Sequence, residues 1–551
     1  MILDFNPTRQ TYILRVPRAS ADVLRRDHGL DFSLPESRHD TAVLYTKDPF
    51  CAASFASYAS PAAAAQLDWI GREVAASSAP SSDRHIALPP DKELWPYQRA
   101  DVDYIMRRQH ALDGDEPGLG KTCTAIAVAN ERQAKRVLVV CLASIRFQWE
   151  RQIREWTTLE NPFCYSITSS RYGTSETANW TVISYELARN PAILRGLVKQ
   201  HFDMLIVDEV HYTKNIGSKR SRAIFGYHDG RADDGESDEV VTSCLMDVCD
   251  SVLTLSGTPL PNRPTEAYVL CRALNHQSID FLSEKRFRER FNPQSKGKTS
   301  TGKVWAHEEQ GRLPELQNRL RAHIMCRHLK RDVLTQLKMP IYDLIQVAET
   351  GAVKQALEVE RLLDFDPEDL AGADMELLGQ VSTVRKMMGV AMAPQVAEYV
   401  AMLLAGGEHK LVLFAWHIEV LDILCAALGK YGIIRVDGRD SGLSKDRKVK
   451  LFQTDPAIRV IIGNVLSLGT GTDGLQHICN HALIAEPDWV PGNNIQCFDR
   501  LDRGGQRLQV QGDIFVAPDS IAGKILASAL RKGKVVHKTL DARVDDDVYA
   551  I

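Results

Sequence analysis

The sequence predicts an α/β protein: two parallel-sheet lobes flanking a helical insertion, behind a small α+β domain. Three observations carry this reading. First, short runs of consecutive apolar residues, such as Val137-Leu138-Val139-Val140, Met204-Leu205-Ile206-Val207 and Val252-Leu253-Thr254-Leu255, alternate with helix-length amphipathic segments from residue 93 onwards. Runs of that length between helices fit parallel strands covered on both faces. Second, the alternation stops near residue 275 and resumes with Leu411-Val412-Leu413-Phe414, Ile433-Ile434-Arg435-Val436 and Val460-Ile461-Ile462. Third, 551 residues suit three or four packed units of roughly 150 residues each.

Taken in order, residues 1–92 hold short alternating stretches, clearest in Thr11-Tyr12-Ile13-Leu14-Arg15-Val16, and run into an Ala/Ser/Pro-rich stretch that includes Ala75-Ala76-Ser77-Ser78 and Pro80-Ser81-Ser82. They read as an accessory domain and a linker. Residues 93–275 form the first lobe, 276–385 the helical insertion, 386–518 the second lobe and 519–551 a helical tail, basic over Lys524–Lys538. Residues 281–338 carry fourteen Lys/Arg against six Asp/Glu, while 229–239 carry six acids against one Arg and read as a solvated loop.

Composition narrows the function classes. At 44% hydrophobic and 25% charged the chain can bury a large core, which excludes global disorder. A net charge of −4 gives no overall nucleic-acid signature, so any such site must be local. No apolar run approaches the ~20 residues needed to cross a bilayer, and Met1–Asn6 lacks the start of a secretory signal, so no membrane role is expected. Eleven scattered cysteines without a CxxC pair read as reduced thiols in a cytoplasm.

The chemistry begins at Gly114-Asp115-Glu116-Pro117-Gly118-Leu119-Gly120-Lys121-Thr122, which opens an Ala-rich helical segment. Glycines let backbone N–H groups converge on a polyphosphate beside the positive end of a helix. Lys121 would reach the β/γ-phosphates and Thr122 would ligate Mg²⁺. The strict phosphate-loop pattern has glycine where this chain has Asp115, so alone the match is partial. Some ninety residues on, Asp208-Glu209-Val210-His211 ends an apolar strand, where α/β sheets place ligand contacts. Asp208 would hold the Mg²⁺ through water, and Glu209 would orient and deprotonate an attacking water. Next come Ser256-Gly257-Thr258-Pro259 after a further strand, Tyr97-Gln98 ahead of the loop, and Arg500 and Arg503 spaced to share one helical face. Guanidinium suits a γ-phosphate across a cleft, though a solvated basic helix end has the same pattern.

With these residues in this order, the chain resembles the SNF2-like branch of the superfamily-2 helicase-like ATPases. The carried segments are Gln98, 115–122, 142–150 (LASIRFQWE), 208–211, 256–259, 411–417 (LVLFAWH), the GTGTDGL segment and QCFDRLDRGGQ (496–506), spanning roughly 93–510. Asp115 is the residue that family uses at its position. Arg146, Trp149-Glu150, Arg263-Pro264, Val436-Asp437-Gly438, Arg447, Phe452-Gln453, Ala485-Glu486, Trp489 and Pro491-Gly492 resemble the annealing-helicase, fork-remodelling subgroup. Pro117, Val210 and Asp502-Arg503 depart from its pattern without removing a phosphate- or magnesium-contacting residue.

The resemblance implies two RecA-like lobes that use ATP and Mg²⁺. Nucleotide would be held by Gln98 (on adenine), Asp115, Gly118, Leu119, Gly120, Lys121, Thr122 and Gln496. Catalysis would rest on Lys121, Asp208, Glu209, Arg500 and Arg503, the last at the arginine-finger position, with Thr122 and Asp208 on the metal. Ser256, Gly257, Thr258, Pro259, Gly471 and Thr472 would couple nucleotide state to lobe closure. The implied activity is ATP-dependent translocation on double-stranded or forked DNA, with remodelling, strand annealing or fork regression in DNA repair. An RNA or single-strand helicase, and an ATPase subunit of a larger DNA-processing or defence assembly, stay open. Lys285, Arg286, Arg288, Arg290, Arg327, Lys330 and Arg331 fit a grip on the DNA backbone, and Phe287, Phe291 and Trp305 either stack on bases or form core. Residues 1–92 would select forked DNA or bind protein partners, so deleting 1–90 is expected to spare duplex-stimulated ATPase. The expected location is cytoplasmic, nucleoid-associated if the source is prokaryotic or phage.

Overall fold

The structure, a computed structural model, describes residues 1–518 except 29–30, 33–36, 38–39, 227–242, 261–262, 293, 299–303, 309–311, 363–374, 470–471 and 489–490, together with 520 and 523. The expectations for the basic tail Lys524–Lys538, the acidic stretch 229–239, Gly471 and Trp489 therefore lie outside the described residues.

Seven parallel strands form the first sheet, in the order Met325–Cys326, His110–Asp113, Cys249–Leu255, Phe202–Asp208, Val137–Cys141, Trp180–Ser184, Cys164–Ile167. Val137–Cys141 is buried at every position, which is why its sequence runs apolar instead of alternating; Trp180–Ser184 is buried throughout as well, with Thr181 and Ser184 among its residues. Ala125, Ala127 and Ala129 let the Lys121–Glu131 helix seat closely on this sheet. Register fixes the site. Leu255 pairs with Asp113 on one side and Asp208 on the other, so three strands end level and their loops converge.

The second sheet is also parallel, six strands ordered Ile341–Gln346, Gln511–Val516, His481–Ile484, Leu411–Ala415, Val460–Asn464, Ile433–Val436. The two lobes anticipated from the apolar runs are thus present, and the described residues between them are largely helical, with helices Glu284–Phe291, Leu313–His323 and Gly351–Arg361, but they also supply strands to both sheets. Met325–Cys326 belongs to the first sheet, Ile341–Gln346 to the second, and the Gly351–Arg361 helix packs Val353, Ala356 and Leu357 into the second lobe's core. A two-residue strand and a largely exposed edge strand carry too little apolar periodicity to be seen. Within the helix Met375–Ala405, the stretch Gly379–Ala405 is long and apolar enough by composition to cross a membrane, although Arg385, Lys386 and Glu398 interrupt its apolar residues. It buries Val384, Met388, Met392, Val396, Val400 and Leu404, most of them in the second lobe's core.

The N-terminal domain is an antiparallel sheet, Ile2–Asn6, Thr11–Pro17, Thr41–Thr46, Asp31–Phe32, with helices Arg18–His28, Pro49–Ala53 and Pro61–Ala76. The Ala/Ser-rich stretch read as a linker is instead largely the last of these helices, capped by Ser60, and Ser77 is fully buried against the first lobe. There the Ser77 hydroxyl accepts from Arg321 at 3.3 Å, and its carbonyl accepts from the Arg327 N–H at 2.8 Å. The seam is ionic as well. Asp48 caps Pro49–Ala53 and pairs with Arg319 and Arg290, while Glu315 bonds both arginines, at 2.9 and 2.8 Å. Arg319, 1% exposed, lies over the Phe50 ring at 4.7 Å.

Candidate nucleotide site and lobe cleft

The loop after His110–Asp113 turns through Gly118 and Gly120, at φ of +88° and +83°, into the Lys121–Glu131 helix. Lys121 Nζ donates to the loop carbonyls of Asp115 and Glu116, at 2.6 and 3.1 Å. The ammonium therefore sits in the curl of its own loop, where phosphate oxygens would replace carbonyl acceptors of the same kind. Asp115, where a glycine was expected on pattern alone, is a fixed member of the loop wall. Its carboxylate accepts from the His328 N–H at 2.6 Å, and the His328 ring lies 3.2 Å from it and 3.1 Å from Asp101. Against burial, those two carboxylates raise His328 to about 11, so the ring is a buried cation between two acids.

Gln98, expected to read adenine, lies beside the loop. Its amide Nε2 donates to the Leu119 carbonyl at 2.8 Å, and its Oε1 accepts from the Trp95 N–H at 2.9 Å. Both ends of the amide are thus engaged, which ties Leu119 and Gly120 to the Pro96–Met106 helix. Thr122 is half-buried at the start of the helix.

Asp208 ends its strand and accepts from Trp149 Nε1 at 2.8 Å. Burial, and secondly the Glu209 carboxylate, push Asp208 up to about 6. Glu209 takes a left-handed φ of 51°, which turns its side chain out of the strand direction. Burial opposes its charge, yet the hydrogen bond and charge of His211, 3.2 Å away, hold Glu209 below the ordinary glutamate range. His211 Nδ1 also lies 3.1 Å from Ser256 Oγ, which accepts from the Thr258 N–H at 3.2 Å, and the Ser256 N–H donates to Asp113 O. This chain joins the 208–211 segment to 256–259. Gly257 is needed there because a Cβ would lie 2.6 Å from the Pro117 ring, so the departure at Pro117 is matched by its neighbour.

The second lobe contributes Arg500 and Arg503. Arg500 donates to the Gln496 and Thr472 carbonyls at 3.4 and 3.0 Å, which is how Gln496 and Thr472 enter the site. Burial, and secondly Arg503, lower Arg500 to about 10. Arg503 donates to Asp499 O at 2.8 Å and pairs with Asp473 at 3.2 Å. The lobes touch here: a Cβ on Gly118 would lie 2.7 Å from Arg503 Cβ. The backbone of the loop thus contacts the arginine turn with no room for a side chain.

Arg286 and Arg288 are exposed, as a backbone grip requires. Three other cations are not available to DNA. Arg290 is committed to Glu315 and Asp48. Arg327, 2% exposed, donates to Gly114 O and Gly257 O. Lys330, 8% exposed, bonds Asp499 and Asp502. Arg290 and Lys330 neutralise buried acids and Arg327 donates to buried carbonyls, and sequence charge counts do not separate those roles from a solvated face. Phe287 and Phe291 are fully buried in the first lobe's core, not base-stacking, and Trp305 lies on the strand Val304–Glu308. Asp101, Asp113 and His328 were not singled out in the sequence. Asp101 stands three residues after Gln98, while His328 follows a two-residue strand and carried no motif.

Residues 97–230 match the SNF2-related domain family. The chain is 28% identical over 482 residues to the "DNA annealing helicase and endonuclease ZRANB3" of Bos taurus, covering 85% of this chain and 42% of that protein. It is 29% identical over 433 residues to the "SWI/SNF-related matrix-associated actin-dependent regulator of chromatin subfamily A-like protein 1" of Bos taurus, covering 77% and 42%. The chain thus spans less than half the length of these relatives. The "Sulfolobus solfataricus SWI2/SNF2 ATPase core in complex with dsDNA" aligns over 82% of this chain and 98% of that one, with a TM-score of 0.37 and 16% identity.

Proposed function

We propose that this chain, which carries an SNF2-related domain, is an ATP-driven translocase on double-stranded or forked DNA that remodels the duplex. The observation that carries the proposal is the packing of Arg503 on Gly118, which puts the arginine turn of the second lobe in contact with the phosphate loop of the first. ATP binding would favour closure of the lobes at that contact and hydrolysis would release it, each cycle stepping the lobes along a phosphate backbone. The words "DNA annealing helicase" in the name of the first relative support DNA as the track.

The side chains divide the work. Lys121 would exchange its loop carbonyls for phosphate oxygens, while Asp208 and Thr122 offer the oxygen ligands that Mg²⁺ requires. Bound there, Mg²⁺ would neutralise phosphate charge. Glu209, held ionised by His211, would accept the proton of the attacking water. Arg500 and Arg503 would stabilise charge developing on the transferred phosphoryl group. The His211–Ser256 contact would carry the state of that site to the strand end at Asp113. Arg286 and Arg288 remain candidates for the DNA backbone. The proposed location is the cytoplasm, on DNA.

Steady-state ATPase without nucleic acid, then with naked duplex, forked DNA, single-stranded DNA and RNA, tests the reading, with Lys121→Ala as control. Stimulation by duplex or fork, lost in the control, is expected. Stimulation by RNA or single strands alone would overturn the duplex assignment. No stimulation by any of them would point to a partner-dependent subunit.

A further inference from the structure

We infer that Lys330 is a positioning residue that locks the arginine turn of the second lobe onto the phosphate loop of the first. The inference rests on the nucleotide-driven closure proposed above. Lys330 stands where the chain leaves the first sheet at Met325–Cys326 for the second at Ile341–Gln346. From there it bonds both walls. Its N–H donates to Glu116 Oε2 at 2.7 Å, and Glu116 O accepts from Lys121. Its Nζ donates to Asp499 and, at 2.8 Å, to Asp502. Those two acids bracket Arg500, and Asp499 O receives the Arg503 guanidinium.

A continuous set of bonds therefore runs from Lys121 through Glu116 and Lys330 to the turn that carries both arginines. Charge balance explains why a lysine is needed. Asp499, Asp502 and the nearby Glu116 place three carboxylates around one buried ammonium. Without that cation the two walls would meet acid against acid and repel, and like charges brought together out of water cannot all stay ionised. With it, closure buries a neutralising centre at the point where Gly118 meets Arg503. Lys330 touches no reacting atom in this arrangement. It acts by holding Arg500 and Arg503 in register.

The test compares Lys330→Met and Lys330→Arg in the full chain. Readouts are kcat and KM for ATP, affinity for a fluorescent ADP analogue, and compaction by small-angle scattering on adding a non-hydrolysable ATP analogue. For Lys330→Met, kcat is expected to fall at least about tenfold and the compaction to vanish, with ADP-analogue affinity changed by less than about threefold. Lys330→Arg should retain most of both, and Asp499→Asn added to Lys330→Met should regain part of the compaction. Wild-type kcat and compaction in Lys330→Met would overturn the proposal, as would a loss that Lys330→Arg and Asp499→Asn fail to rescue. If Lys330→Met does not fold, Asp502→Asn carries the test, with weakened compaction expected and unchanged compaction and kcat overturning it. Compaction is driven by nucleotide, so a wild type that closes without responding to duplex DNA would sink the translocase reading and leave this one standing.

Discussion

The two walls of the cleft hold charge in opposite ways. The first lobe gathers carboxylates: burial raises Asp208 to about 6, and burial followed by Asp115 raises Asp113 well above the carboxylate range. Beyond the Asp499 and Asp502 pair that Lys330 neutralises, the second lobe gathers guanidiniums, with Arg500 lowered to about 10 by burial and by Arg503. Among the described residues no ion pair joins Asp208 or Glu209 to Arg500 or Arg503, and Arg503 pairs within its own lobe at Asp473. Each wall is thus costly by itself and is not fully relieved by the other. A polyanion with its divalent cation supplies what both lack: positive charge for the acids and phosphate oxygens for the arginines.

Removing the second wall's contribution should do most damage. Arg503→Ala is expected to lower DNA-stimulated ATP turnover by roughly 10³-fold or more, the scale of an arginine finger. Turnover within tenfold of wild type would mean that the phosphate does not use this side chain. On the first wall, Glu209→Gln should cost roughly 10²–10⁴-fold in kcat while leaving ATP binding near wild type. Equal losses in kcat and affinity would assign Glu209 to binding instead.

The strain on the acidic wall can be measured without turnover. Asp208 titrates near 6 in the folded chain and near 3.9 when unfolded, so its ionised form costs stability above pH 6. That cost shrinks as pH falls from 6 towards 4, because the folded state then holds the proton the unfolded state lacks. Asp208→Asn should therefore stabilise the metal-free protein by about 1–3 kcal/mol at pH 7.5, with the gain vanishing near pH 4. Chemical denaturation in chelator at both pH values checks the sign, and a destabilised variant at pH 7.5 would refute it. The smallest effect belongs to the exposed cations. Arg286→Ala with Arg288→Ala should reduce the salt dependence of DNA binding by roughly 0.9 per lost phosphate contact and leave turnover at saturating DNA unchanged. An unaltered salt slope would remove both from the interface.

The parts of this cleft written as contiguous motifs were legible, because they sit at strand ends and carry their own conformational signal. Asp208-Glu209 and Ser256–Pro259 each follow an apolar run, and Lys121-Thr122 closes a Gly-rich loop that opens a helix. What was not legible depends on burial. Arg286 and Lys330 look alike in a charge count, yet one faces water and the other is enclosed by acids distant in sequence. The N-terminal boundary misled for the same reason: an Ala/Ser-rich stretch reads as a linker until Ser77 is found packed under Arg321. Deleting residues 1–90, expected to spare duplex-stimulated ATPase, would strip Arg319 and Arg290 of Asp48, and the ATPase of the truncated chain measures what that loss costs the first lobe.

That last pairing also sets an order of assembly. Asp48 and Arg319 are 271 residues apart in the chain, and the guanidinium is enclosed once they meet. At ribosomal speeds of about 5–20 residues per second, the N-terminal sheet leaves the exit tunnel on the order of 10–60 s before its partner is made. During that interval the face that will cover Arg319 has nothing to cover. The N-terminal sheet therefore waits for the middle of the chain, and a product stalled before Arg319 would leave that face uncovered.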